Sequence, residues 1–195
     1  MDAPSGLDTR LLYTLLVALV AAGRLVELRI AARHRTQLLA RGGIEVAPEH
    51  YRWMVLLHTA FLIACPLEVW LLGRPFVPPL AAAMLLLLLL ATALRWWVIR
   101  TLGERWTTRI VCLPGEPPVA AGPYRFLRHP NYLAVCLEIA ALPLVHTAWL
   151  SAVVFSLLNA LVLRVRIRAE ERALAAVSNY AEVFAGRPRL VPGAR

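Results

Sequence analysis

The sequence predicts an all-α integral membrane protein of about five transmembrane helices, the last two forming a helical hairpin. Hydrophobic residues make up 59% of the 195, and mean hydropathy is +0.63, against roughly 45–50% apolar content in soluble domains. The apolar residues also come in long blocks rather than at amphipathic spacing, which favours one membrane domain over residues 1–195 with no dividing linker. Finally, all 21 basic residues are Arg, and they gather between the apolar blocks, as membrane topology requires.

Four apolar stretches carry the signal: about 11–28, 51–72, 77–99 and 132–164, where a span needs about 20 residues. The fourth is too long for one helix. Pro143, His146 and Thr147 near its middle divide it into a hairpin with arms Tyr132–Val145 and Ala148–Leu163, each slightly short of a full span. The first block is expected to remain as a helix rather than to be cleaved as a signal peptide. Its leading Arg10 is offset by Asp2 and Asp8, and Arg24 and Glu27 follow the apolar run directly.

Orientation follows from the Arg bias. Segment 29–52 holds five Arg, 95–128 holds six and the tail from 164 holds seven, 18 of the 21 in all. Five spans with the N-terminus outside put all three segments on the cytosolic side, whereas an even count scatters them. The expected location is therefore within a membrane, with the N-terminus outside and the C-terminus cytosolic. Trp53, Trp96, Trp97 and Trp106 fall at span ends and read as interfacial anchors.

Composition also removes some classes of function. The formal charge of +9 comes without a basic stripe interleaved with aromatics, so nucleic acid is not an expected partner. Cys65, Cys112 and Cys136 form no CxxC pair, so neither a structural disulfide nor a metal site is expected. The absence of GxGxxG argues against a hidden soluble dinucleotide-binding fold.

The most polar stretch, 100–131, contains Gly103, Pro114, Gly115, Pro117, Pro118, Gly122 and Pro123 and cannot be one helix. Loops of this length usually carry function. It ends in Gly122-Pro-Tyr-Arg-Phe-Leu-Arg-His-Pro-Asn-Tyr132. Pro130 suits a first helical position, where its missing N–H costs nothing, and His129 is then the cap. The free N–H groups of that turn, the helix dipole and Arg128 form a site for a carboxylate or phosphate. Arg128 and His129 would equally serve as interfacial anchors.

A second polar feature runs off the last helix as Arg164-Val-Arg166-Ile-Arg168-Ala-Glu170-Glu171-Arg172. Arg166 and Glu170, four apart, share a face, while Arg164, Arg168 and Glu171 lie along a neighbouring one. A solvated helix end with ordinary ion pairs shows the same pattern, but the hairpin returns this segment to the membrane face that carries His129. Glu27, His58, Glu68, Glu138 and His146 are further ionisable residues within the spans, and such residues default to functional candidates. Glu27 is expected to pair with Arg24 and His146 to lie in the hairpin turn near water. Glu68 and Glu138 either line an acceptor channel or pair inside the bundle.

The order Gly-x-Tyr-x-x-x-Arg-His-Pro-x-Tyr, a helical hairpin, then Arg-x-x-x-Glu-Glu resembles the isoprenylcysteine carboxyl methyltransferase family over about residues 95–192. The Arg-His-Pro-x-Tyr element is shared with membrane sterol reductases that use NADPH, so the rival readings are such a reductase and a non-enzymatic membrane protein. Arg166 with Glu170 tips the resemblance toward methyl transfer. It implies an S-adenosylmethionine pocket in the catalytic half, 95–195, open to the cytosol, with a lipophilic acceptor arriving from the membrane lipids. By matched position Tyr124, His129, Pro130 and Tyr132 would line the cofactor pocket, and Arg166 and Glu170 would lie at the reaction centre. Glu171, Tyr180 and Phe184 match more loosely. Family members often have His six residues before the motif Gly, where this chain has Glu116. The resemblance to bacterial members points to an acceptor oxygen on a long-chain alkylresorcinol or alkylpyrone, with a prenylcysteine-like carboxyl as the name-giving alternative. Neither the oligomeric state nor the base is legible.

Overall fold

The computed structural model of the protein describes residues 8–190. Helix α1 spans Thr9–Ala40, α2 Glu49–Leu71, α3 Pro78–Leu102, α4 Pro130–Leu144, α5 Trp149–Val177 and the short α6 Tyr180–Val183. Two three-residue strands, β1 (Ile44–Val46) and β2 (Ile110–Cys112), pair antiparallel with Glu45 opposite Val111. The all-α expectation is therefore corrected by one small ribbon. Three-residue strands carry too little alternation to register in a sequence, and they form because the two polar loops meet.

Among the described residues, four helices are long and apolar enough to cross a bilayer: α1, α2, α3 and α5. The fifth expected helix, α4, runs between the same two ends of the bundle but has 15 residues and rises only about 22 Å against a hydrocarbon core of about 30 Å, so it falls short of that length. Its sequence tolerates that shortness because α4 is enclosed by protein. Tyr132, Ala134, Val135, Glu138, Ile139, Ala141 and Leu142 are all buried, and α2, α3 and α5 pack around it. The other helices turn leucines outward, among them Leu19, Leu71, Leu89, Leu157 and Leu161, a surface stable only against lipid.

Helix ends follow local rules. Asp8 caps α1, its Oδ1 accepting from the Arg10 amide at 3.0 Å. Prolines open α3 and α4 at the first positions. The N-terminus of α5 is capped from another helix: Glu68 accepts the amides of Leu150 at 3.1 Å and Ser151 at 2.6 Å, and pairs with Arg74 at 2.7 Å. Glu68 thus pairs inside the bundle. In the connection 145–148, Thr147 adopts a positive φ of 53° while its hydroxyl donates to the Pro75 carbonyl at 2.6 Å. His146 is buried there, its Nε2 3.1 Å from the Thr9 hydroxyl, rather than near water.

Two boundaries differ from expectation in a way that matters. The first helix continues through Arg29, Arg33 and Arg35 to Ala40, and the last runs on to Val177. Charged residues end an apolar block but do not end a helix, because Arg and Glu are good helix formers. Arg95, grouped by sequence with a polar segment, is buried within α3. Asp2 and Arg195, used in reading the topology, lie outside the described residues.

At one end of the bundle the loops 41–48 and 103–129 and the segment 178–190 converge, tied by β1 with β2 and by Glu45. The Glu45 carboxylate meets Arg35 and Arg109, each at 2.6 Å. Burial alone would raise its pKa, but hydrogen bonds from Arg109 and Arg35 hold it below the usual carboxylate range. Glu116 pairs with Arg41 at 2.8 Å and also with Arg105. Thr9 and the 145–148 connection sit at the opposite end.

Candidate functional site

Where the three loops converge, a cavity of about 550 Å³ runs down between the helices. Its size falls within the roughly 300–1,000 Å³ usual for small-molecule sites. Tyr124, Arg128, His129, Tyr132, Arg166 and Glu170 all line it, so residues 46 positions apart in the chain (124 to 170) share one wall. Pro130 is buried behind them at the first position of α4.

The approach depends on Gly122. It adopts a positive φ of 53° in the 3-10 turn Gly122–Arg125, and a Cβ there would lie 2.4 Å from the Thr101 hydroxyl and 3.1 Å from Trp97 Nε1. Only glycine meets both demands. The turn thus lies flat on α3 and sets Tyr124 against the cavity.

At the centre, Tyr132 stands between the two charged candidates. Its hydroxyl donates to Glu170 Oε2, while Arg166 Nε donates to that hydroxyl at 2.8 Å. Arg166 Nη2 in turn donates to the Thr108 carbonyl at 2.6 Å. The sequence placed Arg166 and Glu170 on one helical face; the structure joins them through a phenol from α4. Arg166 is 5% exposed, so the guanidinium is held in a fixed orientation at low dielectric. Burial first, then the Glu170 carboxylate, pushes the thiol of Cys112 up to about 11, leaving it protonated at neutral pH. The same two causes, with Tyr180 nearby, push the Tyr124 phenol up, and it too keeps its proton.

His129 occupies the cap position of α4, but its side chain makes no cap hydrogen bond. The ring stacks on Tyr132 with centroids 5.3 Å apart, and Nε2 lies 3.2 Å from Glu171 Oε1. Glu171 is not among the residues lining this cavity. It faces outward, where Arg189 Nη2 meets it at 2.7 Å and Arg128 at 3.8 Å. The adjacent backbone closes the same seam: amides of Arg128 and His129 donate to the carbonyls of Pro188 and Arg189 at 2.9 and 3.0 Å.

Sequence reasoning missed part of the wall. Trp106, read as an interfacial anchor, is buried in the cavity wall, whereas Trp53, Trp96 and Trp97 are exposed. Trp106 Nε1, Asn131 Oδ1 and Tyr180 Oη are buried without a protein partner, and all three residues line the cavity. Buried polar atoms normally have partners in protein or ordered water, so these three leave hydrogen-bonding capacity in the cavity wall that protein does not fill. Thr108 contributes only a carbonyl, which no side-chain pattern could reveal.

Fold and site together define an integral membrane protein with a charge-lined cavity that runs down between its helices from one end. The chain belongs to the isoprenylcysteine carboxyl methyltransferase family, whose pattern matches residues 83–176, from α3 to the end of α5. Membership implies a membrane methyltransferase. Among relatives, YpbQ of Bacillus subtilis, described as uncharacterized, is 34% identical over 164 residues, covering 84% of this chain and 96% of its own. An uncharacterized protein of Haemophilus influenzae is 31% identical over 158 residues, covering 80% and 91%.

Proposed function

We propose that the protein transfers a methyl group from S-adenosylmethionine to an oxygen of a lipophilic acceptor, at the cytosolic face of a bacterial plasma membrane with the N-terminus outside. The observation that carries the reading is Tyr132 bridging Arg166 and Glu170 in the wall of a cavity that also extends among apolar residues of α1 and α2.

The residues present fit this cofactor. Aromatic faces of Tyr124, Tyr132, Tyr180 and Phe184 line the cavity and suit an adenine ring or a cationic sulfonium. The unpartnered Trp106, Asn131 and Tyr180 atoms offer hydrogen bonds to base, ribose and amine. Arg128 supplies a cation for the amino-acid carboxylate beside the first turn of α4. When bound, the cofactor supplies an electrophilic methyl. Glu170 accepts the proton of the acceptor hydroxyl, since Tyr132 occupies only one of its two oxygens. Arg166 lies beside the developing oxyanion and stabilises it. Tyr132 holds both groups in register, and little covalent help is needed once the partners are aligned. Glu171 acts through His129 and Arg128 as a positioning residue. A long-chain alkylresorcinol or alkylpyrone is the favoured acceptor.

Purified protein titrated with S-adenosylhomocysteine and with NADPH, then incubated with labelled S-adenosylmethionine and a bacterial lipid extract, tests the proposal. Saturable binding of the first nucleoside and label in a lipid product are expected. Binding of NADPH alone, or label in nothing lipophilic, overturns it.

A further inference from the structure

The cavity has a second polar end, on α1, α2 and α3. Arg24 and Glu27 of α1, His58 of α2 and Arg95 of α3 line it, and Glu138 of α4 closes the group from behind. Arg24 meets Glu27 at 2.5 Å and Glu138 at 3.3 Å, while Arg95 meets Glu138 at 2.8 Å. Glu138 is six residues beyond Tyr132 on α4, about 9 Å deeper along the helix axis. Arg24, Glu27 and His58 also lie outside the stretch matched to the family.

Four charges at this depth are costly unless something uses them, and the cluster is not fully satisfied internally. The Nε atoms of both Arg24 and Arg95 are buried without a partner. Arg24 and Arg95 both line the cavity, and the Arg24 side chain keeps 21% of its surface against 6% for Arg95, so Arg24 is the more accessible cation. The charges balance, two positive against two negative, and an entering anion would leave one negative charge uncompensated in a low-dielectric site. The natural occupant is therefore neutral. Nδ1 of His58 lies 2.8 Å from the Met54 carbonyl, which can only accept. In the neutral ring Nδ1 is then the donor and Nε2 the acceptor. The end of the cavity thus offers a guanidinium donor and an imidazole acceptor, the pair that a hydroxyl satisfies with one lone pair and its proton. Beyond it the wall includes Leu25, Val55 and Ile63, whose side chains are exposed on the outer faces of α1 and α2, a path for an alkyl tail into lipid.

We propose that Arg24 and His58 form a second recognition subsite, which binds a neutral hydroxyl on the acceptor's head group while another oxygen of the same molecule is presented to Glu170. This rests on the methyl-transfer reading and narrows its acceptor to neutral amphiphiles carrying two oxygen functions, against a prenylated carboxylate.

The test uses the full-length protein in detergent with two matched probes, 5-pentadecylresorcinol and 3-pentadecylphenol, and reads Kd by ligand-dependent thermal stabilisation. The native protein should bind the resorcinol roughly tenfold more tightly, the effect of one hydrogen bond to a charged group. Arg24→Gln should abolish that preference while binding the phenol as before. If Arg24→Gln fails to fold, His58→Phe, which leaves all four charges in place, should abolish the preference alone. Equal affinity for the two probes in the native protein, a preference that survives both substitutions, or binding of neither probe overturns the subsite. S-adenosylhomocysteine titrated into the same samples keeps the two questions apart: its failure to bind sinks the methyl-transfer reading, and the hydroxyl preference is read independently of it.

Discussion

Two polar clusters flank the same turn of α5, and adjacent residues belong to different ones. Glu170 points into the cavity, where its charge is met by one phenol, itself held by a single buried guanidinium. Glu171 points outward, where Arg189 contacts both of its oxygens and His129 and Arg128 approach from the segment leading into α4. The outward carboxylate is saturated by protein and fastens the segment 187–190 over the first turn of α4. The inward one keeps unused bonding capacity facing the cavity. Under the proposed function, the difference between a reacting charge and a fastening one lies in unused hydrogen-bonding capacity facing a cavity rather than in burial alone.

The contrast is sharpest in Glu170→Gln. Turnover should fall by about 10²–10⁴, the range for a general base, with the thermal midpoint shifted by little, because Gln still accepts from Tyr132. Arg166→Ala should lose turnover comparably and cost about 1–3 kcal/mol of stability, since the Thr108 carbonyl loses its buried donor. Turnover within twofold of native in a folded Glu170→Gln protein would erase the distinction between the clusters.

Glu171→Gln should show the opposite profile. Stability falls by about 1–3 kcal/mol as the charge-assisted bonds weaken, and S-adenosylhomocysteine binds more weakly, while kcat at saturating cofactor stays near native. His129→Ala should weaken cofactor affinity in the same direction. Calorimetry on both variants beside full saturation curves decides the point, and a kcat loss as deep as that of Glu170→Gln would place Glu171 in the chemistry instead.

A smaller effect is expected in acid. The folded-state pKa of Glu45 lies below its unfolded value, so its contribution to stability is present above about pH 4.3 and is lost as pH falls through the lower folded value. Thermal midpoints measured downward from pH 6 should drop more steeply in the native protein than in Glu45→Gln, and parallel curves would refute the role of Glu45 as the tie between loops. Smallest of all is Arg164→Ala. The side chain is exposed on the outer face of α5, so stability should change by no more than about 0.5 kcal/mol and turnover should hardly move.

Legibility differed from element to element for identifiable reasons. The helix at Pro130 could be read because proline fixes its own φ and removes its own donor, both properties of one residue. Arg166 with Glu170 could be read because four residues make nearly one helical turn. The partner that joins them could not, since Tyr132 reaches them from another helix 34 and 38 positions away. Trp106 was misplaced for the same reason: its position suits an interfacial anchor, and only the packing of the polar loop against α1 and α3 buries it.

The sequence by itself determined that this is a helical membrane protein with its charges gathered between apolar blocks. Hydropathy, proline geometry and helical periodicity act within a few residues and survive in any context. The tertiary structure alone decided that α4 is a short enclosed helix and that β1 pairs with β2. It also decided that Arg24, Glu27, Arg95 and Glu138 meet, and that Glu170 turns inward while Glu171 turns out. Each of these is settled by which surfaces of distant elements come into contact. The physical reason is that burial, pairing and unsatisfied hydrogen bonds are properties of neighbours in space, and a chain of separate apolar blocks does not specify its neighbours until it packs.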